Sequence, residues 1–232
     1  MTSGETLSRA KDSGQAAGVT GVVLVAHGGK SVSSEATAAV QPAVLRMVPL
    51  ARAIRHALRG SGAVVLRPRF QLRGWNGEQA LPVHDLVAIL DDIASRFGPV
   101  PVVLVGHSMG ARAAMRVAGH PAVSAVAGLA PWLPPGEPFG QLAGRRVLLV
   151  QGSADGVTRP EDTWAFADRA RSVAEVTAVE IRGGDHAMLR RAGLWHSLAA
   201  EFVCRVFRLP GRGGQVAELL RTKATDPRRV VL

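Results

Sequence analysis

The sequence predicts a three-layer α/β fold, with a mostly parallel sheet of about six strands between two layers of helices. Short runs of β-branched and aliphatic residues alternate with longer amphipathic stretches, which is typical of parallel strands joined by crossover helices. The 232 residues are 47% hydrophobic, enough to bury one sizeable core but not two. At residues 106–110 a turn with two glycines joins an apolar run directly to a helical pattern. We therefore expect one domain of this fold.

Six apolar runs have the length and composition of buried strands. They are Gly21 to Ala26, Ala63 to Leu66, Val100 to Val105, Val123 to Leu129, Arg146 to Gln151 and Glu175 to Ile181. The stretches between them place apolar residues on one helical face, so they predict the crossover helices. The predicted helices are Pro49 to Leu58, Pro82 to Phe97, Met109 to Ala118, Pro160 to Val173 and Ala187 to Phe207.

The two ends of the chain differ in composition from the body, which we expect to be one domain over residues 19–208. Residues 1–18 form a polar lead with no apolar stretch behind a basic start, so no secretory signal is predicted and a cytoplasmic location is expected. Residues 209–232 form a basic tail that can be mobile, with one short helix predicted at Gln215 to Arg221. No apolar run approaches the roughly 18 residues that a membrane helix needs. No membrane association is therefore expected.

Composition also bounds the partners of the chain. Its 28 lysine and arginine residues against 18 acidic residues give a formal net charge of +10, but the excess is concentrated in the tail and thin elsewhere. Aromatic residues, which stack on bases in nucleic-acid-binding proteins, make up only 4% of the chain and include no tyrosine. We expect no nucleic-acid partner. The single cysteine, Cys204, excludes an internal disulfide and a cysteine-based zinc site.

The strongest local signal is the pentapeptide Gly106-His107-Ser108-Met109-Gly110. It follows an apolar strand and precedes a helix, which is the context in which G-x-S-x-G forms a nucleophile elbow. A turn sharp enough to present Ser108 needs small residues on both sides, and Gly106 and Gly110 supply them. We identify Ser108 as the candidate nucleophile; the alternative is an inert surface turn.

Two further residues complete a candidate catalytic triad. A serine hydroxyl becomes a strong nucleophile only when an imidazole takes its proton and a carboxylate orients that imidazole. Asp155 follows the fifth predicted strand, and His186 follows the sixth after two glycines. Since the carboxyl ends of parallel strands share one edge of a sheet, the three side chains are expected to meet there. Serine, aspartate and histidine also occur in the chain order known for the G-x-S-x-G architecture.

These motifs resemble those of the α/β-hydrolase family, over residues 20 to about 207. The resemblance rests on GHSMG at 106–110, GSAD at 152–155, GGDH at 183–186 and the residues His27-Gly28-Gly29 after the first strand. In that family two backbone N–H groups bind the oxyanion of the tetrahedral intermediate. The resemblance assigns these donors to Gly29 and Met109, and it implies a small, lidless serine esterase or thioesterase.

Two other carboxylates compete for the orienting role. Asp185 directly precedes His186, but adjacent side chains usually diverge. Glu137 follows the strand Val123 to Leu129, and some relatives take their acid after that earlier strand. Asp155 is preferred because it follows an apolar strand through a turn of small residues.

The substrate pocket is predicted to be open, without a cap domain, because only the proline-rich loop of residues 130–145 stands where relatives often insert a lid. Candidate pocket residues are His27, Trp75 and Trp132. His27 is otherwise a turn residue bonded to its own backbone, and the tryptophans otherwise cover the sheet edge. Three arginines after the second strand could bind an acidic substrate group, or could lie in a solvated loop. They are Arg67, Arg69 and Arg73.

The sequence therefore predicts a serine hydrolase that cleaves small carboxylic esters or thioesters through an acyl-enzyme intermediate. No cofactor and no metal are expected, since the histidines show no metal-ligand spacing. Two alternatives stay open: an acyltransferase with the same triad, and a non-catalytic protein that uses this fold to bind a small ligand. The oligomeric state also stays open.

Overall fold

A computed structural model describes residues 18–211, 213–222 and 229–232 of the chain, so the predicted polar lead lies outside the described residues except for Gly18. The strands are β1 Gly21–Ala26, β2 Ala63–Leu66, β3 Val102–His107, β4 Val123–Leu129, β5 Arg146–Gly152, β6 Glu175–Ile181 and β7 Val230–Val231. They form one sheet in the order β2-β1-β3-β4-β5-β6-β7. Every neighbouring pair is parallel.

All six predicted strands are present, and the bounds of β1, β2, β4 and β6 are those predicted. β3 begins at Val102 instead of Val100, because Pro101 has no N–H group to donate to the ladder. The prediction of about six strands is one too few. The seventh strand, β7, is a two-residue pairing with β6, too short to produce an alternating pattern in the sequence.

Helices cover both faces of the sheet. They are α1 Pro42–Leu45, α2 Met47–Ala57, α3 Leu81–Phe97, α4 Met109–Arg116, α5 Pro160–Ala170, α6 Ala192–Val206 and α7 Gly214–Thr222. Helices α3, α4 and α5 enclose one apolar core, and α2, α6 and α7 enclose the other. Along β1, Val22 and Leu24 belong to the first core, while Val23 and Val25 belong to the second. This alternation explains why β1 is apolar throughout.

Helix α6 begins five residues later than the predicted Ala187. The preceding loop is closed by Asp185, whose Oδ1 accepts the N–H groups of Leu189 and Arg190 at 3.0 and 2.8 Å. Met188 and Arg191 both have left-handed backbone conformations, with φ of 57° and 58°, which a helix cannot contain. The apolar pattern of the helix therefore extends into a loop that is not helical.

The described part of the predicted tail packs on the domain. Helix α7 confirms the short helix predicted at residues 215–221, and Leu220 is buried in the second core. Beside β7, Arg229 pairs with Glu180 at 3.3 Å, and Arg191 Nη1 donates to the carbonyl oxygen of Leu232 at 2.7 Å. Residues 229–232 thus lie against the edge of the sheet at β6.

All strand carboxyl ends lie at one edge of this parallel sheet, where the loops after β1, β3, β5 and β6 meet. Residues 130–145, which stand where a lid was considered, contain a single 3₁₀ turn at Gly140–Leu142 and no other helix. None of the described helices combines the length and the apolarity needed to cross a membrane.

Candidate active site

The turn at residues 106–110 is a strained elbow between β3 and α4. Ser108 has φ 52° and ψ −117°, a conformation that non-glycine residues adopt only where the surrounding structure enforces it. Close packing at both glycines enforces it here. A Cβ atom on Gly106 would lie 2.5 Å from the backbone of Ala111, and one on Gly110 would lie 2.7 Å from the carbonyl oxygen of Ala26. Both positions therefore require glycine.

His186 and Asp155 are hydrogen-bonded to each other. His186 Nδ1 lies 2.9 Å from Asp155 Oδ2. The Nδ1 proton is therefore donated to the carboxylate, and Nε2 of the neutral ring carries the lone pair. The Asp155 side chain is fully buried, whereas the His186 side chain is 15% exposed. This arrangement holds the imidazole in the tautomer that can accept a proton at Nε2.

Asp155 stays charged although it is buried. Burial by itself would raise the pKa of this carboxyl, but hydrogen bonds from His186 and from the N–H groups of Thr158 and Val157 outweigh burial and hold the pKa well below its usual range. Oδ1 accepts those two backbone groups at 2.9 and 2.8 Å. A permanent negative charge thus faces His186, where it favours the imidazolium that forms when the base takes a proton.

Sequence reasoning missed the polar side chains that fix Asp155. Thr158 Oγ1 and Gln151 Nε2 each donate to Asp155 Oδ2 at 2.8 Å, and Thr163 Oγ1 donates to Gln151 Oε1 at 3.2 Å. The sequence does indicate a role for Thr158, because an aspartate in a turn often accepts hydrogen bonds from residues two or three positions later. Gln151 could have been noticed as a polar residue at the end of an apolar strand.

The loops that carry the acid and the base are bonded to each other. The Ala154 N–H donates to the carbonyl oxygen of Gly184 at 3.0 Å, and the Gly183 N–H donates to Ser153 Oγ at 2.9 Å. A Cβ atom on Gly152 would collide with the carbonyl of Gly184. The glycines of the GSAD and GGDH motifs therefore let two backbones touch, and this contact fixes Asp155 relative to His186.

His107 connects the elbow to the base. Its Nε2–H donates to the carbonyl oxygen of His186 at 2.8 Å, and the two ring centroids are 4.9 Å apart. Burial and then the neighbouring His186 lower the pKa of His107 to about 3, so this ring is neutral. Among the described residues no hydrogen bond joins Ser108 Oγ to His186. In unliganded enzymes such a bond often tightens only when substrate binds.

The turn after β1 lies against the elbow. A Cβ atom on Gly28 would lie 3.3 Å from Ser108 Cβ, and one on Gly29 would lie 2.6 Å from Met109 Sδ. Within the described part of the chain, the backbone N–H groups of Gly29 and Met109 donate no hydrogen bond. Two unused donors are thus available beside Ser108, which is the requirement for an oxyanion hole.

His27 holds this turn in place. Its Nε2 accepts the Phe70 N–H at 3.1 Å, and its Nδ1 lies 2.6 Å from the carbonyl oxygen of Gly28. Burial lowers the pKa of His27 to about 4, so the ring is neutral. Both ring nitrogens are engaged by backbone groups, as the interpretation of His27 as a turn residue requires. Neither nitrogen is left to bind a substrate.

The two rival carboxylates have other partners. Asp185 closes the loop before α6, as described above. Glu137 is buried, and its carboxylate accepts hydrogen bonds from the Nε groups of Arg112, at 2.7 Å, and Arg116. Glu137 therefore fastens the loop after β4 to helix α4 instead of facing the histidine.

The two candidate tryptophans lie beside these arginines. Trp75 and Trp132 pack edge to face with ring centroids 6.0 Å apart, and the Arg112 guanidinium lies 4.1 and 4.5 Å from the two centroids. Trp75 is 3% exposed and belongs to the first core. Trp132 donates its backbone N–H to the carbonyl oxygen of Ser108 at 3.3 Å. Trp132 is thus the tryptophan that contacts the elbow.

The sequence matches the model of one protein family, described as the alpha/beta hydrolase fold, over residues 60–186. The match covers more than half of the chain, including the elbow, Asp155 and His186. A search of curated proteins finds no significant match.

Several solved structures share the fold. An alpha-beta serine hydrolase homologue from Coxiella burnetii has a TM-score of 0.60 and 21% identity, over 79% of this chain and 85% of that one. An esterase domain from Rhodothermus marinus has a TM-score of 0.56 and 20% identity, over 82% and 88% of the two chains. A serine hydrolase without a lid from Xanthomonas campestris has a TM-score of 0.60 and 19% identity, over 85% and 86%. At these identities the likeness establishes the fold alone.

Proposed function

The chain belongs to the α/β-hydrolase fold family, and from its site we propose that this hydrolase cleaves carboxylic esters or thioesters through an acyl-enzyme formed on Ser108. The observation that carries the proposal is the placement of three groups at one sheet edge. They are a strained elbow serine, a histidine in contact with the elbow through His107, and a buried carboxylate that holds the histidine by Nδ1. Serine hydrolases use these three kinds of group as nucleophile, base and orienting acid.

In the proposed mechanism, Ser108 Oγ attacks the acyl carbon while its proton passes to His186 Nε2. The tetrahedral intermediate collapses as the bond to the leaving oxygen or sulfur breaks, and the imidazolium returns the proton to the leaving group. Water then attacks the acyl-enzyme, giving its proton to Nε2, and the second collapse releases the acid and restores Ser108. Asp155 stabilises the imidazolium in both halves of the cycle.

The oxyanion of each tetrahedral intermediate is assigned to the backbone N–H groups of Gly29 and Met109. Their lack of other acceptors and their position beside Ser108 support this assignment. One such donor contributes about 100- to 1,000-fold to the rate in comparable enzymes. Because both donors are backbone groups, side-chain truncation does not remove them.

A fluorophosphonate probe tests the proposal. Such probes phosphonylate a serine only when a base activates it, so intact-mass measurement should show one adduct on the wild-type protein and none on Ser108→Ala. The same variant should lose hydrolysis of short 4-nitrophenyl esters. A wild-type protein that forms no adduct would favour the non-catalytic alternative. Product analysis with added alcohol separates an acyltransferase, which yields a new ester, from a hydrolase, which yields the free acid.

A further inference from the structure

A pocket of about 270 Å³ opens beside the turn after β1, which carries Gly29, one of the two proposed oxyanion donors. Its walls come from the turn after β1, the segment before α2, and Arg73 in the loop after β2. The residues that matter for its chemistry are Gly28, Gly29, Lys30, Thr37, Arg46 and Arg73. Since Gly28 and Gly29 also pack on Ser108 and Met109, the pocket shares the turn after β1 with the candidate active site.

Two of the three cations that line the pocket are not neutralised. The side chains of Lys30 and Arg46 form no hydrogen bond and no ion pair with the described residues. Arg46 is only half-buried, and Asp185 attracts its charge without forming an ion pair. Arg73 Nη1 pairs with the exposed carboxylate of Glu35. The pocket thus carries two cations that form no ion pair with the residues that the structure describes.

The position of Arg46 connects this charge to the catalytic residues. Arg46 stands between α1 and α2 and lines the pocket with Gly28 and Gly29. Its charge is one of the smaller causes, after burial and His186, that lower the pKa of His107. The Arg46 guanidinium therefore interacts electrostatically with His107. Together with its place in the pocket lining, this puts Arg46 at the edge of the candidate active site.

The pocket also holds a polar group without a partner. Thr37 lines the pocket and is 7% exposed, and its Oγ1 is buried without any hydrogen-bond partner. A buried hydroxyl without a hydrogen-bond partner destabilises the folded protein. Its backbone is fixed, because the Thr37 N–H donates to the carbonyl oxygen of Gln71 at 3.0 Å. Thr37 thus adds a hydrogen-bond donor to a pocket that three cations also line.

We propose that this pocket binds a carboxylate or phosphate group of the substrate, so that the enzyme prefers anionic esters or thioesters. The inference rests on the proposed hydrolase function and adds a substrate class to it. Lys30 and Arg46 supply the uncompensated charge, and Arg73, braced by Glu35, supplies a third cation. Of the three arginines singled out in the sequence, Arg73 is the one that lines this pocket.

Matched pairs of chromogenic esters test the preference. The kcat/KM of mono-4-nitrophenyl adipate, with a carboxylate on the acyl side, is compared with that of neutral 4-nitrophenyl hexanoate. A second pair, 3-carboxy-4-nitrophenyl hexanoate against 4-nitrophenyl hexanoate, places the carboxylate on the leaving group. Inorganic phosphate, added as a competitive inhibitor of the preferred anionic ester, reports whether phosphate binds at the same place. We expect at least one anionic ester to exceed its neutral partner by about tenfold or more, as loss of a charged hydrogen bond typically costs that much.

Variants assign the preference to the pocket. In Arg46→Gln and Lys30→Gln the ratio of anionic to neutral kcat/KM should fall by about tenfold. Arg52→Gln removes the same charge from an exposed position on α2 and should leave the ratio unchanged. Equal ratios in the wild type, Arg46→Gln and Lys30→Gln would overturn the proposal.

A binding measurement separates this inference from the hydrolase function. The Ser108→Ala protein cannot form an acyl-enzyme, yet phosphate or adipate should still raise its Tm through binding to the folded state. The shift should be smaller in Ser108→Ala combined with Arg46→Gln. If Ser108→Ala binds anions but the wild type hydrolyses no ester, the anion pocket stands and the hydrolase function is refuted. If the wild type hydrolyses esters but shows neither anion preference nor anion binding, the hydrolase function stands and the anion pocket is refuted.

Discussion

At the residue scale, His186 is fixed by three separate contacts. Asp155 holds its Nδ1, His107 donates to its carbonyl oxygen, and the His107 ring packs against its ring. The first contact sets the tautomer, and the other two set where the ring lies relative to the elbow. These contacts come from two other strand ends, the loop after β5 and the end of β3, so His186 is positioned by the sheet and not by its own loop alone.

Substitutions of the two candidate orienting carboxylates, Asp155 and Glu137, should have different effects: one on activity and the other on stability. Asp155→Asn should lower kcat by about 10⁴-fold, the effect of the equivalent change in serine proteases, because the amide favours the wrong tautomer. Glu137→Gln should lower the free energy of unfolding by about 3 kcal/mol, since two arginines lose their buried partner, while most activity remains. Steady-state kinetics and urea unfolding measure the two effects. An inactive but stable Glu137→Gln protein would return the orienting role to Glu137.

At the element scale, the site depends on backbones that approach more closely than side chains permit. β3 meets α4 at Gly106, α4 meets the turn after β1 at Gly110, and the acid loop meets the base loop at Gly152 and Gly184. The strain at Ser108 is maintained by these contacts, because relaxing the elbow would separate elements that the sheet holds together.

Adding one methyl group at the elbow tests this account. Gly106→Ala should lower the free energy of unfolding by about 3 kcal/mol, since its Cβ meets backbone that cannot move aside. Gly140→Ala is the control, because no atom lies within 4 Å of a Cβ added there, and it should change stability by less than about 0.5 kcal/mol. Urea unfolding of both variants gives the comparison. Equal stabilities would mean that the elbow is not under the constraint described.

At the scale of the whole molecule, two buried neutral histidines make stability depend on pH. Burial lowers the pKa of His107 to about 3 and that of His27 to about 4. An unfolded histidine takes up a proton below about pH 6.5, whereas these two folded rings do not. The unfolded state therefore binds more protons over this range, and stability decreases as the pH falls from about 6.5 towards 4. The pKa of Asp155 in the folded protein is held low, so its contribution to the free energy of unfolding is lost only below about pH 4.

Acid unfolding measures this effect. Each histidine should remove about 2 kcal/mol from the free energy of unfolding between pH 7 and pH 5. His107→Gln, which keeps a donor but cannot titrate, should reduce the difference between the two pH values by about 2 kcal/mol. His56→Gln, at an exposed position, should leave it unchanged. A difference that stays the same in His107→Gln would show that this ring is not kept neutral in the folded protein.

Local pattern was sufficient to predict the sheet and the elbow. Strand composition located β1, β2, β4 and β6 to the residue, because these strands are largely buried and therefore mostly apolar. Local pattern was insufficient for β7, which is defined only by its partner β6, and for the start of α6, where apolar residues continue into a loop closed by Asp185.

The sequence by itself determined which chemical groups this protein carries and the order in which strands deliver them to one edge. Only the tertiary structure decided which of these groups touch. Asp155, and not Glu137, contacts His186, and Gln151 and Thr158 surround the Asp155 carboxylate. Lys30 and Arg46 lie together beside the turn after β1. The reason is that a hydrogen bond needs its donor and acceptor atoms about 3 Å apart and in a narrow range of angles. Spacing along a chain does not set such distances between residues on different strands; the packing of the sheet and its loops does.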